Sequence, residues 1–252
     1  MSYKSDRKVL FLDIENISRP EHIFRTSGKW KRPAGFSADL AYILCFGYKW
    51  LHEDEVKCIY RSKESFKANP IGDADIMQDI FDVVSQADVV VTWYGAGHDV
   101  PFTCTRLAQA GLYLDRKTPH IDLYKTAKSA FSMSSNRLDA VAEFLGAERK
   151  EKIGYDNWPM TWAGDWEAYE RIATYCKQDV IVLEDLYKKM LPLVINHPSM
   201  NAGNIKGQCS KCGSSNVVKG GFWIAANTTY QKYNCKDCHS AVKGEKLLRP
   251  VS

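Results

Sequence analysis

The pattern of apolar positions near the N-terminus predicts a strand that is buried on both of its faces. Residues 9–15 read VLFLDIE, with four successive apolar side chains before the first acid. A run that is apolar at odd and even positions alike is typical of a strand covered on both sides of a sheet. Because side chains alternate along a strand, Asp13 and Glu15 are expected to project from the same face.

The rest of the first 200 residues alternates between short apolar runs and stretches with helical spacing, which predicts a mixed α/β domain. The predicted strands cover 40–48, 56–60, 89–93 and 120–123, the first two joined as a hairpin beside the N-terminal strand. The predicted helices cover 73–86, 101–110, 136–146 and 165–194. Asp73 is the expected N-cap of the first of these helices.

Acidic residues recur at the ends of these elements. Asp13 and Glu15 would repel each other at short range in a medium of low dielectric constant, and a divalent cation would neutralise them. Two solvated acids at the end of an edge strand are the alternative. Asp99 lies at the mouth of the strand-to-helix turn after VVVTW, where it is either a site residue or only a helix N-cap. Tyr175 and Asp179 are four residues apart, which places them on one helix face.

Composition indicates an ordinary globular protein with a substantial core. The chain has 252 residues, of which 45% are hydrophobic and 25% charged. No apolar run approaches the ~18 residues of a membrane span. The N-terminal MSYKSDRK also lacks the apolar core of a signal peptide. We therefore expect a soluble, cytoplasmic protein with no membrane partner.

The eight cysteines fall into two groups with different expected roles. The scattered group is expected to be core or free thiols, and it comprises Cys45, Cys58, Cys104 and Cys176. The other group forms two C-x-x-C pairs separated by residues 213–234, and it comprises Cys209, Cys212, Cys235 and Cys238. Two such pairs at this separation predict a tetrahedral, structural zinc site in a small ribbon, with a redox pair as the alternative.

Charge is distributed unevenly along the chain. From residue 201 onward there are eight basic and two acidic residues, a net charge of +6, which leaves a net charge of −2 on the first 200 residues. A basic appendage with exposed aromatics such as Trp223 favours contact with nucleic acid, although ribbons also bind proteins and a basic tail can simply aid solubility. The loop at 17–36 interleaves basic and aromatic residues, including Arg32, and is either a second phosphate-contacting segment or a solvated loop.

Taken in order, three motifs resemble those of the RNase H-like 3′–5′ exonucleases, in particular the DEDDy group that includes the proofreading domains of family B DNA polymerases. The motifs are FLDIEN at 11–16, VVTWYGAGHDVPF at 90–102 and YCKQDV at 175–180. The chain departs from the group at Tyr94, where Asn is usual, and at His98, where an aromatic usually precedes the acid. Asn16, Tyr94 and His98 are predicted nucleic-acid contacts, together with Arg32 and Trp223.

The resemblance implies an RNase H-like mixed sheet flanked by helices over residues 1–195, followed by a linker at 196–207 and a zinc ribbon at 208–252. It implies that two Mg²⁺ or Mn²⁺ ions assist phosphodiester hydrolysis, with Tyr175 orienting the attacking water. The implied ligands of these ions are Asp13, Glu15, Asp99 and Asp179. Asp122, a further acid near the sheet edge, is expected to play a structural part.

The implied substrate is the 3′ end of single-stranded DNA during replication or repair. The protein would act alone or beside a separate DNA polymerase or other replication protein. Two alternatives stay open at this point. One is an exonuclease directed at RNA, which would share the same metal chemistry. The other is a non-catalytic module that binds nucleic acid on the same scaffold.

Overall fold

The computed structural model describes residues 7–18, 41–147, 153–201 and 207–247. The strands of the main sheet are β1 (Val9–Ser18), β2 (Ala41–Trp50), β3 (Lys57–Tyr60), β4 (Val89–Thr92) and β5 (His120–Asp122). The helices are α1 (Lys63–Ala68), α2 (Met77–Val84), α3 (Asp99–Gln109), α4 (Leu123–Ala130), α5 (Leu138–Phe144), α6 (Asn157–Trp162) and α7 (Trp166–Met190). Most of the predicted loop at 17–36, including Arg32, lies outside the described residues.

The main sheet has five strands in the order β3-β2-β1-β4-β5. β1 pairs antiparallel with β2 and parallel with β4, while β2–β3 is antiparallel and β4–β5 parallel. The mixed α/β sheet flanked by helices is therefore confirmed, and so is the β2–β3 hairpin beside the N-terminal strand. The central place of β1 means that its side chains have neighbours on both faces of the sheet.

The two faces of β1 pack against different helices, as the apolar run predicts. Phe11 is fully buried and meets Tyr187 of α7 edge-on, with ring centroids 5.2 Å apart. Leu10 and Leu12 point the other way and pack with Ile80 of α2 in a second cluster. Burial of a side chain the size of phenylalanine contributes roughly 2–3 kcal/mol. Asp13 and Glu15 share the parity of Phe11, so they face α7.

The long helix α7 crosses the sheet at close range because β2 carries a glycine beneath it. The carboxylate of Asp165 caps the helix by accepting a hydrogen bond from the Ala168 N–H at 3.0 Å. A Cβ atom at Gly47 would lie 2.8 Å from the Cys176 sulfur and 3.0 Å from its carbonyl oxygen, so a larger residue would push the helix away. A buried ion pair between Lys49 and Glu184 also joins β2 to α7.

Asp73 lies at the N-cap position of the segment that leads into the predicted helix, but its side chain does not form the expected cap. The segment forms a 3-10 turn at Ala74–Ile76 that runs into α2, with no side-chain cap at Asp73. The Asp73 carboxylate instead accepts a hydrogen bond from the Ile43 N–H at 2.8 Å and pairs with Arg106 at 2.5 Å. A buried charge gains more from a guanidinium partner than from an exposed turn of helix.

A C-terminal module, residues 207–247, forms a separate three-stranded antiparallel sheet. Its strands are β6 (Val217–Ala225), β7 (Thr228–Cys235) and β8 (Ala241–Lys246). The glycine pair at positions 220 and 221 suggests a turn in the sequence, but Gly220 and Gly221 both lie inside β6 at a shift in its register with β7. Gly221 has φ +70°, and a Cβ at Gly220 would meet the Asn234 side chain at 2.3 Å. The glycine pair therefore builds a bulge rather than the hairpin turn.

The C-terminal module packs directly on the end of α7. Lys211 donates hydrogen bonds to the carbonyl oxygens of Leu191, Pro192 and Val194 at 3.1, 3.3 and 2.6 Å. Within the predicted linker at 196–207, Met200 is 1% exposed, and His197 hydrogen-bonds the Tyr187 hydroxyl at 2.8 Å. The boundaries at 195 and 208 stay predictions. Among the described residues, no helix is long and apolar enough to cross a membrane.

Candidate active site and metal centres

The structure brings three of the four predicted acids together. Oxygen atoms of Asp13, Glu15 and Asp179 all lie within 4.8 Å of one another, and we call these three residues the acid cluster. Two of them come from β1 and the third from α7, which passes over that face of the sheet. Asp179 is only 6% exposed. Three carboxylates this close repel one another unless a cation lies among them, and oxygen ligands suit Mg²⁺ or Mn²⁺.

Cys176 fixes the distance between β1 and α7 at the acid cluster. Its thiol donates a weak hydrogen bond to the backbone oxygen of Asp13 at 3.4 Å, and its sulfur lies 3.7 Å from Oδ2 of the same residue. Cys176 is fully buried and fits over Gly47, which pairs with Asp13 across β1 and β2. The helix is therefore held at this point by small side chains, and Asp179 follows within one turn.

The loop between β4 and α3, which carries the second motif, is organised by Asp122. The Asp122 carboxylate accepts hydrogen bonds from the backbone N–H groups of Tyr94 at 3.0 Å and Ala96 at 3.2 Å. Tyr94 has a φ of +65°, a left-handed conformation that is unusual for a large residue. A Cβ at Gly95 would lie 2.2 Å from the Thr92 hydroxyl, so only glycine fits there. Asp122 therefore plays the structural part expected of it.

Asp99, the fourth predicted acid, lies at the first position of α3 and is not a member of the acid cluster. Its side chain is not the N-cap of the helix, since His98 occupies that position and no side-chain cap forms. Burial, and secondly the charge of Asp122, raise the pKa of Asp99 to about 7. Without a cation nearby, this carboxyl is half protonated near neutral pH. Its part in metal binding stays a prediction.

Two of the predicted substrate contacts meet beside the acid cluster. His98 Nε2 lies 3.2 Å from Oδ1 of Asn16, so the second-motif loop is tied to the end of β1. The His98 ring stacks on Phe102 with centroids 5.6 Å apart, and burial lowers the pKa of His98. The neutral ring therefore predominates at physiological pH. Tyr94 is 52% exposed and packs edge-on against Tyr124 at 4.9 Å.

Tyr175 lies one helical turn before Asp179 on α7. Its ring meets Trp158 of α6 edge-on, with centroids 6.3 Å apart. It also lines a cavity of about 420 Å³ together with Arg171 and Gln178. The predicted role of Tyr175, orienting a water molecule, stays a prediction.

The four C-terminal cysteines converge as their spacing predicts. All four are buried, with sulfur atoms within 4.8 Å of one another. The Cys209–Cys238 and Cys212–Cys235 sulfurs are 3.6 and 3.7 Å apart. Tetrahedral zinc with bonds of about 2.3 Å requires sulfur separations of about 3.8 Å, so this set fits the ion. Hydrogen bonds from Cys209 and then Cys212 lower the pKa of Cys238, which favours its thiolate form.

The two knuckles that supply these cysteines have matching backbones. The Cys209 N–H donates to the Ser214 oxygen at 2.7 Å, and the Cys235 N–H donates to the Ser240 oxygen at 2.9 Å. The residue after the second cysteine of each knuckle, Gly213 or His239, has a positive φ of 75° or 58°. His239 is exposed and lies outside the four-cysteine group. His239 therefore contributes to the backbone turn of the second knuckle and is not part of the four-cysteine site.

Three of the four cysteines expected to be scattered instead form a cluster, with the sulfurs of Cys45, Cys58 and Cys176 all within 4.8 Å of one another. Only Cys104, on α3, lies apart. The signal available in the sequence was weak: Cys45 and Cys58 fall on neighbouring predicted strands, and Cys176 lies between Tyr175 and Asp179. Cys45 and Cys176 are buried, as expected of core thiols, but the expected scatter is not found.

Comparisons with known proteins agree with this architecture. A model of the RNase H superfamily matches residues 34–191, a range that begins after Asp13 and Glu15. A DNA polymerase of Pyrococcus horikoshii is 23% identical over 166 residues, which cover 58% of this chain and 13% of the polymerase. The DNA polymerase catalytic subunit of Epstein-Barr virus (strain B95-8) is 35% identical over 66 residues, covering 26% of this chain and 6% of that protein.

The fold has a counterpart among solved structures. The family B DNA polymerase of the archaeon Pyrobaculum calidifontis superposes with a TM-score of 0.53 at 19% identity. The superposition covers 74% of this chain and 25% of the polymerase. At this level of identity the likeness concerns the fold alone. The chain thus spans a small part of each of these larger proteins.

Proposed function

Because the chain belongs to the RNase H superfamily, we propose that it is a metal-dependent 3′–5′ exonuclease of the DEDDy group. The proposed reaction is hydrolysis of phosphodiester bonds at the 3′ end of single-stranded DNA, in replication or repair. The observation that carries the proposal is the convergence of Asp13, Glu15 and Asp179 at one face of the central strand. The names of the relatives, which are DNA polymerases, favour DNA over RNA.

The acid cluster is suited to holding two divalent ions. Two Mg²⁺ or Mn²⁺ ions would neutralise the charge that develops on the attacking and leaving oxygens. Asp13, Glu15 and Asp179 would hold them, with Asp99 as the fourth carboxylate. Because α7 is fixed over β1 by the contact between Cys176 and Gly47, these carboxylates are positioned before substrate binds.

Neighbouring groups fit the binding of a nucleic-acid strand. Asn16 and His98 form a polar pair next to the acid cluster, and the half-exposed ring of Tyr94 offers a stacking surface. In the C-terminal module, Phe222 and Trp223 are each 46% exposed on β6. The same proposal assigns one structural Zn²⁺ to the four-cysteine site, which makes the module a zinc ribbon. A separate DNA polymerase or other replication protein is the proposed partner.

The direct test uses 5′-labelled single-stranded DNA and RNA oligonucleotides of one sequence. Each is incubated with the protein and Mg²⁺ or Mn²⁺, with EDTA, and with EDTA followed by excess Mg²⁺. We expect a DNA ladder that shortens from the 3′ end, disappears in EDTA and returns with Mg²⁺. The Asp13→Ala variant should give no ladder, while Asp139→Asn, which changes an exposed acid on α5, should match the parent protein.

The other outcomes separate the alternatives. A ladder from RNA but not from DNA would favour an RNA-directed exonuclease. Cleavage that persists in Asp13→Ala would contradict the assignment of the site. Strand binding without cleavage by a folded, zinc-loaded protein would favour a non-catalytic module, and the departures at Tyr94 and His98 would then be the first positions to change.

A conservative substitution tests the proposed role of Tyr175. In Tyr175→Phe the ring remains and only the hydroxyl is lost, so we expect cleavage to slow by up to about 10²-fold without being abolished. The matched control is Tyr155→Phe, because Tyr155 is 82% exposed. Single-turnover rates at saturating Mg²⁺ measure both variants. A Tyr175→Phe rate equal to that of the control would remove Tyr175 from the mechanism.

A further inference from the structure

We propose that Cys45, Cys58 and Cys176 form a second thiolate metal site, which binds a borderline-soft divalent ion such as Zn²⁺. We call these three residues the thiol cluster. Their sulfurs lie within 4.8 Å of one another although the residues belong to β2, β3 and α7. The three thiols belong neither to the acid cluster nor to the C-terminal module, so they are tested separately from the exonuclease assignment and from zinc in that module.

Strand register explains why the three sulfurs meet. Cys45 pairs with Tyr60 and Gly47 pairs with Cys58, so the two cysteines lie on the same face of the β2–β3 hairpin. Gly47 leaves an open space beside them. The Cys176 sulfur fills it from above, 2.8 Å from where a Cβ at position 47 would lie. One glycine thus admits both the helix and the third thiol.

The separations are compatible with a bound ion. Three thiolates bound to zinc at about 2.3 Å lie about 3.8–4.0 Å apart, within the observed limit. A disulfide would use only two of the three sulfurs. Cys45 and Cys58 are also diagonal partners across antiparallel strands, where Cβ atoms are typically farther apart than the ~3.8 Å that a disulfide needs.

The surroundings supply a candidate fourth ligand and a route of entry. Oδ2 of Asp13 lies 3.7 Å from the Cys176 sulfur. A sulfur and a carboxylate oxygen bound to one tetrahedral zinc are about 3.6 Å apart. Cys45 and Cys176 are fully buried, while Cys58 is partly exposed and forms the open side of the cluster. An ion could therefore enter past Cys58 and reach the two buried sulfurs.

A bound ion would have a structural consequence. It would bridge α7 to the β2–β3 hairpin at the point where the helix crosses the sheet. Because Asp179 and Cys176 lie on the same stretch of α7, the ion would also fix the helix over β1. Zinc should therefore stabilise the body of the protein separately from any effect in the C-terminal module.

The first test compares zinc content in two matched variants, Cys58→Ser and Cys104→Ser. Both remove one partly buried thiol, but only the first removes a member of the thiol cluster. After zinc loading and removal of excess metal, native mass spectrometry should show one more zinc ion in Cys104→Ser than in Cys58→Ser. This difference does not depend on the zinc content of the C-terminal module. Equal zinc content in the two folded variants would overturn the proposal.

The second test needs no substitution in the cluster. The intact protein is treated with iodoacetamide with and without zinc, and the modified cysteines are located by peptide mapping. Zinc should slow the alkylation of Cys58 at least 10-fold, a chelator should restore it, and Cys104 should react equally in all samples. Unchanged reactivity of Cys58 would contradict the proposal. The mass of the untreated protein is also measured. If it is lower by two hydrogens and peptide mapping finds a crosslink between two of Cys45, Cys58 and Cys176, the cluster forms a disulfide and the metal-site proposal is wrong.

Discussion

The acid cluster and the four-cysteine site show two ways of assembling a candidate metal centre in one chain. The acid cluster joins residues 13 and 15 to residue 179, so its geometry exists only when α7 lies over the central sheet. The four cysteines come from two adjacent knuckles with matching backbones and lie within residues 209–238. The first candidate centre depends on the complete fold, whereas the second is built locally, and bound zinc would help its module to fold. Substitutions in the two sites should therefore have opposite effects on activity and stability.

The largest expected effect is on catalysis. Replacing Asp179 with Ala removes a buried charge and a proposed metal ligand, so cleavage should fall by roughly 10³-fold or more. The thermal unfolding temperature of the metal-free protein should stay the same or rise, because the repulsion among the three carboxylates is reduced. Single-turnover cleavage and thermal unfolding measure the two effects. A large fall in unfolding temperature would mean that Asp179 holds the fold rather than the ions.

A substitution in the four-cysteine site should instead act mainly on stability. Replacing Cys235 with Ser should release the zinc ion and unfold the β6–β8 sheet, at a cost of about 3 kcal/mol or more. Zinc content, together with limited proteolysis of residues 207–247, tests this expectation. Cys104→Ser is the control and should retain the protected fragment. A Cys235→Ser module that stays folded without zinc would show that packing against α7 is sufficient.

Asp99 gives the body of the protein a pH-dependent stability, because its buried carboxyl ionises unfavourably when no metal is bound. The pKa of the folded carboxyl, about 7, lies above its ordinary value of 3.8, so protonation favours the folded state. Its contribution to stability is complete below about pH 4 and is lost as the pH rises through 7. Without added Mg²⁺ or Mn²⁺, the free energy of unfolding should fall by roughly 2–3 kcal/mol between pH 5 and pH 8.

The Asp99→Asn variant should lack this pH dependence and should be more stable than the parent protein at pH 8. Urea unfolding at the two pH values measures the difference, with Asp139→Asn as the exposed control. An Asp99→Asn variant with the same pH dependence as the parent protein would mean that another group is responsible. Mg²⁺ should reduce the effect in the parent protein if Asp99 helps to hold the ions.

The smallest expected effect concerns the contact between the end of α7 and the C-terminal module. Lys211 donates to three carbonyl oxygens at the end of α7, so Lys211→Met would leave these acceptors without their ammonium partner. We expect a loss of about 1–3 kcal/mol in the free energy of unfolding, with the zinc content unchanged. Lys219→Met is the matched control, because Lys219 is exposed on β6. Equal stability of the two variants would indicate that the module docks through its apolar contacts alone.

Much of the fold could be predicted from periodicity. The central strand, the hairpin beside it and the long helix carrying Tyr175 and Asp179 were all visible, because each has an apolar pattern of sufficient length. The resemblance of the motifs implied that four acids would come together, and three of them, Asp13, Glu15 and Asp179, do so. The four-cysteine site was predictable because its ligands are close together in sequence.

What could not be predicted depends on contacts between distant residues. Asp73 binds Arg106 instead of capping a helix, and the approach of Cys176 to Gly47 follows from the crossing of α7 over β2. The thiol cluster was missed for the same reason, since no local spacing connects Cys45 to Cys176. Asp99 lies outside the acid cluster, an arrangement that depends on the loop held by Asp122. Sequence patterns identify elements, whereas these contacts arise only from their packing.

Manganese binding tests the central claim most directly, because Mn²⁺ is paramagnetic and is detected without any assumption about the substrate. The zinc-loaded protein is titrated with Mn²⁺ in the absence of nucleic acid, and free Mn²⁺ is measured by electron paramagnetic resonance. The acid-cluster assignment predicts saturable binding in the parent protein and in Asp139→Asn, with binding lost or weakened at least about 10-fold in Asp179→Asn. Equal Mn²⁺ binding by Asp179→Asn and the parent protein would contradict it.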